Sequence, residues 1–152
     1  MWDWIATYWE MGLAVHQAGA RLGVALALGA AIGFEREATN RAAGLRTHML
    51  VSLASALFTI IAFEMYARLR DSGVTAGADP LRLLEAVTAG VAFLAAGSIL
   101  RDSGGVRGLT TGAGLWLAGA VGMACGYGLF GLAAVSTILA IIVLALLRLV
   151  KP

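Results

Sequence analysis

The feature that most constrains the fold is a series of five apolar stretches, each close to the length of a membrane-spanning helix. The predicted spans cover residues 13–34, 45–66, 81–100, 109–124 and 129–147. A helix needs about 20 mainly apolar residues to cross the hydrocarbon core of a bilayer. With 60% hydrophobic and 13% charged residues, the chain is too apolar for a soluble domain of 152 residues. We therefore expect an all-α, polytopic membrane helical bundle with about five transmembrane helices, surrounded by the lipid bilayer.

The chain divides into a short N-terminal segment and one transmembrane domain. Residues 1–12 contain three tryptophans and one tyrosine beside Asp3 and Glu10. This composition is typical of the headgroup layer, where the polar edge of an aromatic ring stays hydrated. We expect this segment to lie at the membrane interface and residues 13–150 to form the transmembrane domain.

Charged residues concentrate where the first two spans meet, at residues 35–48, which we call the elbow. Charge is costly at membrane depth, so this segment is a candidate functional site. A turn after the third span adds further charges at the same end. The predicted site residues at this end are Glu35, Arg36, Glu37, Arg46, Thr47, His48, Arg101, Asp102, Arg107, Thr110 and Thr111.

Three interpretations of these charges stay open. The charges could form an ion-pair network that stabilises the helix ends. They could instead form a regulatory surface that binds a partner protein. A Mg²⁺ site would use carboxylate oxygens of Glu35, Glu37 and Asp102. The nearby arginines argue against the metal, because a carboxylate paired to a guanidinium is a poor ligand. We expect no cofactor, with Mg²⁺ as the exception to test.

A second group of charges is expected to be buried near the opposite end of the bundle. Its members are Arg21, Glu64, Asp79, Arg82 and Glu85. Arg21 in the first span and Glu85 in the third lie at comparable depth, and each would be costly alone. We therefore expect them to form a buried ion pair. The alternative is a cation or proton entry site guarded by this pair.

Glycines recur at helical spacing along the spans. Gly29 and Gly33 are four residues apart, which bares a strip of backbone that another helix can approach closely. Packing inside the bundle and contact between copies both explain such faces, and a homodimer is the expected assembly. The residues predicted to pack helices are Gly29, Gly33, Gly90, Gly97, Gly112 and Trp116.

The distribution of basic residues predicts an orientation. One side of the membrane would hold Arg36, Arg41, Arg46, Arg101, Arg107, Arg148 and Lys151, whereas the other would hold Arg68, Arg70 and Arg82, with Arg21 inside the helix near it. The positive-inside rule then places the C-terminus in the cytoplasm and the N-terminus outside. Five spans, an odd number, are consistent with termini on opposite sides.

Motifs for catalysis and nucleic-acid binding are missing from the sequence. It contains no glycine-rich loop followed by lysine, no HExxH, no nucleophile elbow and no Cys/His set at metal-ligand spacing. No basic run is interleaved with aromatic residues. We expect neither an enzyme nor a nucleic-acid partner.

Four segments in consistent order resemble the membrane domain of the MgtC/SapB family. They read GAAIGFERE, AGLRTHMLVSLASALF, ADPLR and VRGLTTGAGLWLAGAVG, and together they run from Gly29 to Gly122, with the resemblance reaching about Gly126. The matching motif residues are Gly33, Glu35, Arg36, Glu37, Gly44, Arg46, Thr47, His48, Asp79, Arg82, Gly108, Thr110, Thr111 and Trp116. The third span departs from the family pattern, because TAGVAFLAAG replaces a more glycine-rich run and Glu85 precedes it.

The resemblance implies a multi-pass protein of the bacterial inner membrane, in a short form that consists of the transmembrane domain only. It also implies roles in magnesium homeostasis, stress adaptation and virulence. In the best-studied members it implies restraint of the F-type ATP synthase by direct contact. Two functions stay open: a regulator that binds membrane partners, and a Mg²⁺ or other cation transporter that works as an oligomer.

Overall fold

Five α-helices and one short β-hairpin make up the described part of the chain. The structure, a computed structural model, describes residues 13–73, 79–102 and 105–150, so the predicted interfacial segment, residues 1–12, lies outside it. The helices are α1 (Val15–Ala38), α2 (Leu45–Asp71), α3 (Pro80–Gly97), α4 (Leu109–Tyr127) and α5 (Phe130–Val150). The strands β1 (Leu100–Asp102) and β2 (Gly105–Arg107) pair antiparallel between α3 and α4.

The predicted all-α, polytopic membrane fold is confirmed. α1, α2 and α4 are each long and apolar enough to cross a membrane. The described apolar parts of the other two helices, Leu84–Gly97 and Phe130–Leu146, are shorter, so their crossing stays a prediction. The β-hairpin is a difference from the simple turn expected before the fourth span. α1 and α2 also extend beyond their predicted spans, because a helix can continue through charged residues after it leaves the apolar layer.

Local sequence signals define several helix ends. Asp79 caps α3, since its Oδ1 accepts a hydrogen bond from the backbone N–H of Leu81 at 2.9 Å, and Pro80 occupies the first helical position. α4 ends at Gly128, whose φ of +97° lies in the left-handed region that glycine enters without strain. The N–H of Leu129 then donates to Ala124 O at 2.8 Å, which closes the end of the helix.

The helices run alternately up and down, and α4 lies at the centre. Ten of its 19 residues are buried, and it packs against all four other helices. α2 and α4 lie side by side in parallel, because Gly114 of α4 faces His48 and Gly126 faces Ala56. The elbow, the hairpin and the C-terminal end of α5 therefore share one end of the bundle.

The core is built from small side chains that allow close contact between helices. Its buried apolar residues form two clusters, one of Ala25, Ile32, Ala56, Val121, Cys125 and Ala133, and one of Ala43, Val51, Val91, Ala95, Leu115 and Ala118. A Cβ added at Gly122 would overlap the backbone of Ser52, and one added at Gly126 would lie 2.5 Å from Ala56 O. The backbones of α2 and α4 are thus in direct contact, as expected for helices with small residues at their interface.

Gly29 and Gly33 bring α1 equally close to α2. A Cβ added at Gly29 would lie 2.8 Å from His48 O, and one added at Gly33 would lie 2.8 Å from the Cα of Leu45. Ser52 strengthens this contact, since its Oγ donates a hydrogen bond to Ala25 O at 2.7 Å. The first two helices therefore form a tight antiparallel hairpin.

Candidate functional site

The elbow reverses the chain over six residues by a specific backbone motif. Two residues after the end of α1, Asn40 has a φ of +53°, a left-handed conformation that asparagine tolerates better than most residues. The N–H of Asn40 donates to Glu37 O at 3.0 Å, and the N–H of Arg41 donates to Arg36 O at 3.1 Å. These two bonds are the pair expected at a helix end of the Schellman type. α2 consequently begins directly against the last turn of α1.

Glu37 caps α2 from the neighbouring helix. The residue at the N-cap of α2 is Gly44, which has no side chain to accept a hydrogen bond. Instead, Glu37 Oε2 accepts from the backbone N–H of Leu45 at 2.9 Å. A Cβ at position 44 would overlap the Glu37 carboxylate, so the glycine makes room for this contact.

Three residues form a buried polar cluster inside the elbow: Glu35, Arg36 and His48. Arg36 is only 3% exposed and forms an ion pair with Glu35. The His48 ring is fully buried, and its Nδ1 lies 2.9 Å from Gly44 O. Because a carbonyl oxygen only accepts, Nδ1 donates this bond, which leaves Nε2 of the neutral ring as an acceptor. Glu35 Oε1 and His48 Nε2 are both buried, and neither has a hydrogen-bond partner among the residues that the structure describes.

The other predicted residues at this end differ in their exposure. Thr111 is buried, whereas Arg46, Thr47, Arg107 and Thr110 are exposed on the surface of the bundle. The side chains of Arg101 and Asp102 lie outside the described residues, as do those of Arg148 and Lys151. The structure thus separates a buried polar cluster from an exposed basic surface.

No three His, Cys, Asp or Glu side chains in the described part of the chain lie together in a way that could hold a metal ion. Two of the three carboxylates considered for Mg²⁺ already have partners: Glu35 pairs with Arg36, and Glu37 accepts from Leu45. Among the described residues, the elbow therefore offers no set of metal ligands.

The predicted ion pair between Arg21 and Glu85 is wrong. Arg21 donates a hydrogen bond from Nη1 to Gly126 O at 2.8 Å, at the C-terminal end of α4. The last carbonyls of a helix have no intrahelical donor and carry partial negative charge, so they stabilise a nearby cation. Glu85 is exposed on α3, which packs against α2 and α4, whereas Arg21 belongs to α1.

The expectation that all five charges at this end are buried also needs correction. Arg21 and Glu64 are partly buried and line an open cavity of about 210 Å³ together with Leu13, Ile60 and Phe63. Glu64 Oε1 accepts from the backbone N–H of Leu13 at 2.8 Å. Asp79, Arg82 and Glu85 are exposed instead, because α3 begins at the periphery of the bundle.

Three of the residues predicted to pack helices face outward within a single chain. A Cβ added at Gly90 or Gly97 would meet no atom of the described residues within 4 Å, and Trp116 is 53% exposed. Gly112, in contrast, does pack: an added Cβ would lie 3.0 Å from Ala95 O. Gly90 and Gly97 therefore leave an open glycine face on α3.

Sequence reasoning missed the polar face of α2. Ser52, Ser55 and Thr59 are buried, and they meet the glycines of α4. Their spacing of three and four residues places them on one side of a helix, which is a signal that the sequence did contain. The role of Gly126 O as the partner of Arg21 had no such signal, because a backbone carbonyl has no sequence signature.

Fold and site define a polytopic α-helical membrane protein with a charged, partly buried elbow. The chain belongs to the MgtC family, whose model matches residues 22–152. It is 42% identical over 133 residues to Protein MgtC of Brucella abortus (strain 2308), an alignment that covers 88% of this chain and 52% of that protein. It is 39% identical over 124 residues to Protein MgtC of Salmonella typhimurium, covering 82% of this chain and 49% of that protein.

A third relative carries a name that refers to magnesium. The chain is 39% identical over 120 residues to the Escherichia coli (strain K12) protein named "Putative magnesium transporter YhiD", covering 79% of this chain and 55% of that protein. The chain thus spans about half the length of these relatives. No solved structure matches it.

Proposed function

We propose that this chain is a regulatory membrane protein of magnesium homeostasis and stress adaptation, which acts by binding other membrane proteins. The observation that carries this proposal is the open face of α3. Phe93 is 81% exposed, and a side chain at Gly90 or Gly97 on the same helix would meet no described atom within 4 Å. Such a face lets a partner helix approach closely. The names of the relatives support the link to magnesium.

The close contacts inside the bundle argue against an ion path through one chain. α1 and α2 touch at Gly29 and Gly33, and α2 and α4 touch at Gly122 and Gly126. These contacts block a continuous path for a hydrated ion along the helix interfaces that they close, and the open cavity at Arg21 and Glu64 lies at one end of the bundle. A cation transporter formed by several copies is the second candidate, and the name of YhiD favours it.

We further propose the bacterial inner membrane, with the elbow in the cytoplasm and the N-terminus outside. The antiparallel order of the helices puts the elbow and the hairpin at the same end of the bundle. The arginines of both segments would then face the cytoplasm, in line with the positive-inside rule. The proposed partners are the F-type ATP synthase, which the family resemblance suggests, and a second copy of this chain.

The α3 face can be tested by site-specific crosslinking in the native membrane. A photo-crosslinking amino acid at Phe93 is expected to capture a membrane protein, whereas the same group at Leu139, an exposed position on α5, serves as the matched control. Mass spectrometry of the adduct would distinguish ATP synthase subunits from a homodimer. Equal capture at both positions, or none at Phe93, would contradict a specific face.

A flux assay separates the two candidate functions. The purified protein, reconstituted in liposomes that contain a Mg²⁺-sensitive dye, is expected to give no more Mg²⁺ entry than empty liposomes. Robust entry that depends on the protein would overturn the regulatory proposal and support the oligomeric transporter.

A further inference from the structure

We propose that the elbow binds the headgroup of an anionic phospholipid through Arg41 and Arg46. Both side chains are exposed, and neither forms an ion pair with any residue that the structure describes. A guanidinium presents several N–H donors in a planar fork, which suits the oxygen atoms of a phosphate. The occupant is a lipid of the leaflet that surrounds this end of the bundle.

The carboxylates of the elbow do not neutralise these two arginines. Glu35 is largely buried and pairs with Arg36, so this pair adds no net charge to the surface. Glu37 is exposed, but its Oε2 is held by the backbone N–H of Leu45. Two arginines against one engaged carboxylate leave the exposed part of the elbow positive, which favours an anionic lipid over a neutral one.

The position of Arg46 on α2 places it at the depth of the headgroups. Large apolar side chains are exposed along one stripe of this helix, at Leu50, Leu57, Ile61 and Met65. In a membrane-spanning helix such a stripe faces the acyl chains. Arg46 stands one turn before Leu50 at the end of the stripe. At 1.5 Å per residue, Arg46 and Met65 are about 28 Å apart along the helix, close to the hydrocarbon thickness of about 30 Å.

The neighbouring helix, α1, also exposes an apolar side chain next to the elbow, on the side of the hydrocarbon layer. Phe34 of α1 is 68% exposed, one turn before the helix ends at Ala38. The elbow therefore combines cations at its rim with exposed apolar side chains on both helices beneath it. A phospholipid likewise has a charged headgroup next to apolar acyl chains, whereas free phosphate would contact the arginines alone.

The test is native mass spectrometry of the full chain in a neutral detergent, with phosphatidylglycerol and phosphatidylcholine of the same acyl chains added together. The wild-type protein is expected to retain more phosphatidylglycerol. Because a basic residue near an anionic membrane surface contributes about 1 kcal/mol, Arg41→Gln and Arg46→Gln should each lower the preference about fivefold. Arg46→Lys, which keeps the charge, should retain most of it.

Arg82→Gln is the matched control, since Arg82 is an exposed arginine at the other end of the bundle. It is expected to leave the preference unchanged. An unchanged preference in the double variant of Arg41 and Arg46 would overturn the proposal, as would an equal loss in Arg82→Gln. Displacement of the bound lipid by millimolar inorganic phosphate would also overturn it, in favour of a site for free anions.

Discussion

The contact between α1 and α2 makes a sharp prediction for Gly29→Ala. The added Cβ would lie 2.8 Å from both His48 O and the Cβ of Ser52. Ordinary contacts between carbon atoms begin near 3.5 Å, so the two helices would have to separate by about 0.7 Å. A shift of this size would also stretch the 2.7 Å hydrogen bond from Ser52 Oγ to Ala25 O. We expect the free energy of unfolding to fall by about 1–3 kcal/mol.

Gly23→Ala on the same helix is the matched control. A Cβ added at Gly23 meets no atom within 4 Å, so the substitution changes only the helix propensity, by up to about 1 kcal/mol in favour of alanine. The assay is reversible unfolding of the detergent-solubilised protein by sodium dodecyl sulfate, followed by far-UV circular dichroism. If Gly29→Ala proved as stable as Gly23→Ala, the inference of a backbone contact at Gly29 would be refuted.

Two further predictions concern single hydrogen bonds at the helix ends, measured by the same unfolding assay. Arg21→Met removes the donor to Gly126 O and is expected to cost about 1–2 kcal/mol, whereas Glu85→Gln should be neutral because Glu85 is exposed. A loss in Glu85→Gln as large as that in Arg21→Met would instead support an ion pair between Arg21 and Glu85. Glu37→Ala removes the acceptor for the N–H of Leu45 and should cost about 1 kcal/mol. Glu37→Gln keeps an acceptor oxygen and should cost less, so equal losses would argue against the cap.

The class of fold could be predicted because the length of each apolar stretch can be counted directly along the sequence. The elbow could be located for a similar reason, since Glu35, Arg36 and His48 interrupt two apolar stretches. That these three residues share a buried cluster could not be predicted from the sequence. Arg46 and Thr47 are also polar residues of the elbow, but their side chains are exposed.

Which helices pack against each other could not be predicted from the sequence. Arg21 and Glu85 lie at similar depth, but α1 and α3 pack mainly against α2 and α4 and not against each other, so depth alone gave the wrong partner. Gly29 and Gly97 show the same limit: both belong to glycine-spaced faces, yet the first is buried against α2 and the second faces outward. The spacing of the glycines indicates a flat face on a helix, but it does not indicate which helix packs against that face.

Because α4 lies at the centre of the bundle, the helices can pack completely only after α4 has been synthesised. α1 and α2 leave the ribosome first and can pair through their glycine contact, and α3 follows at the periphery. The serine and threonine face of α2 meets its covering glycines only after α4 has been made. A chain that stalls before this point would leave the small side chains of this face exposed to lipid, without the close contacts that α4 provides. Nascent chains cut short before α4 should therefore be preferred targets of membrane proteases.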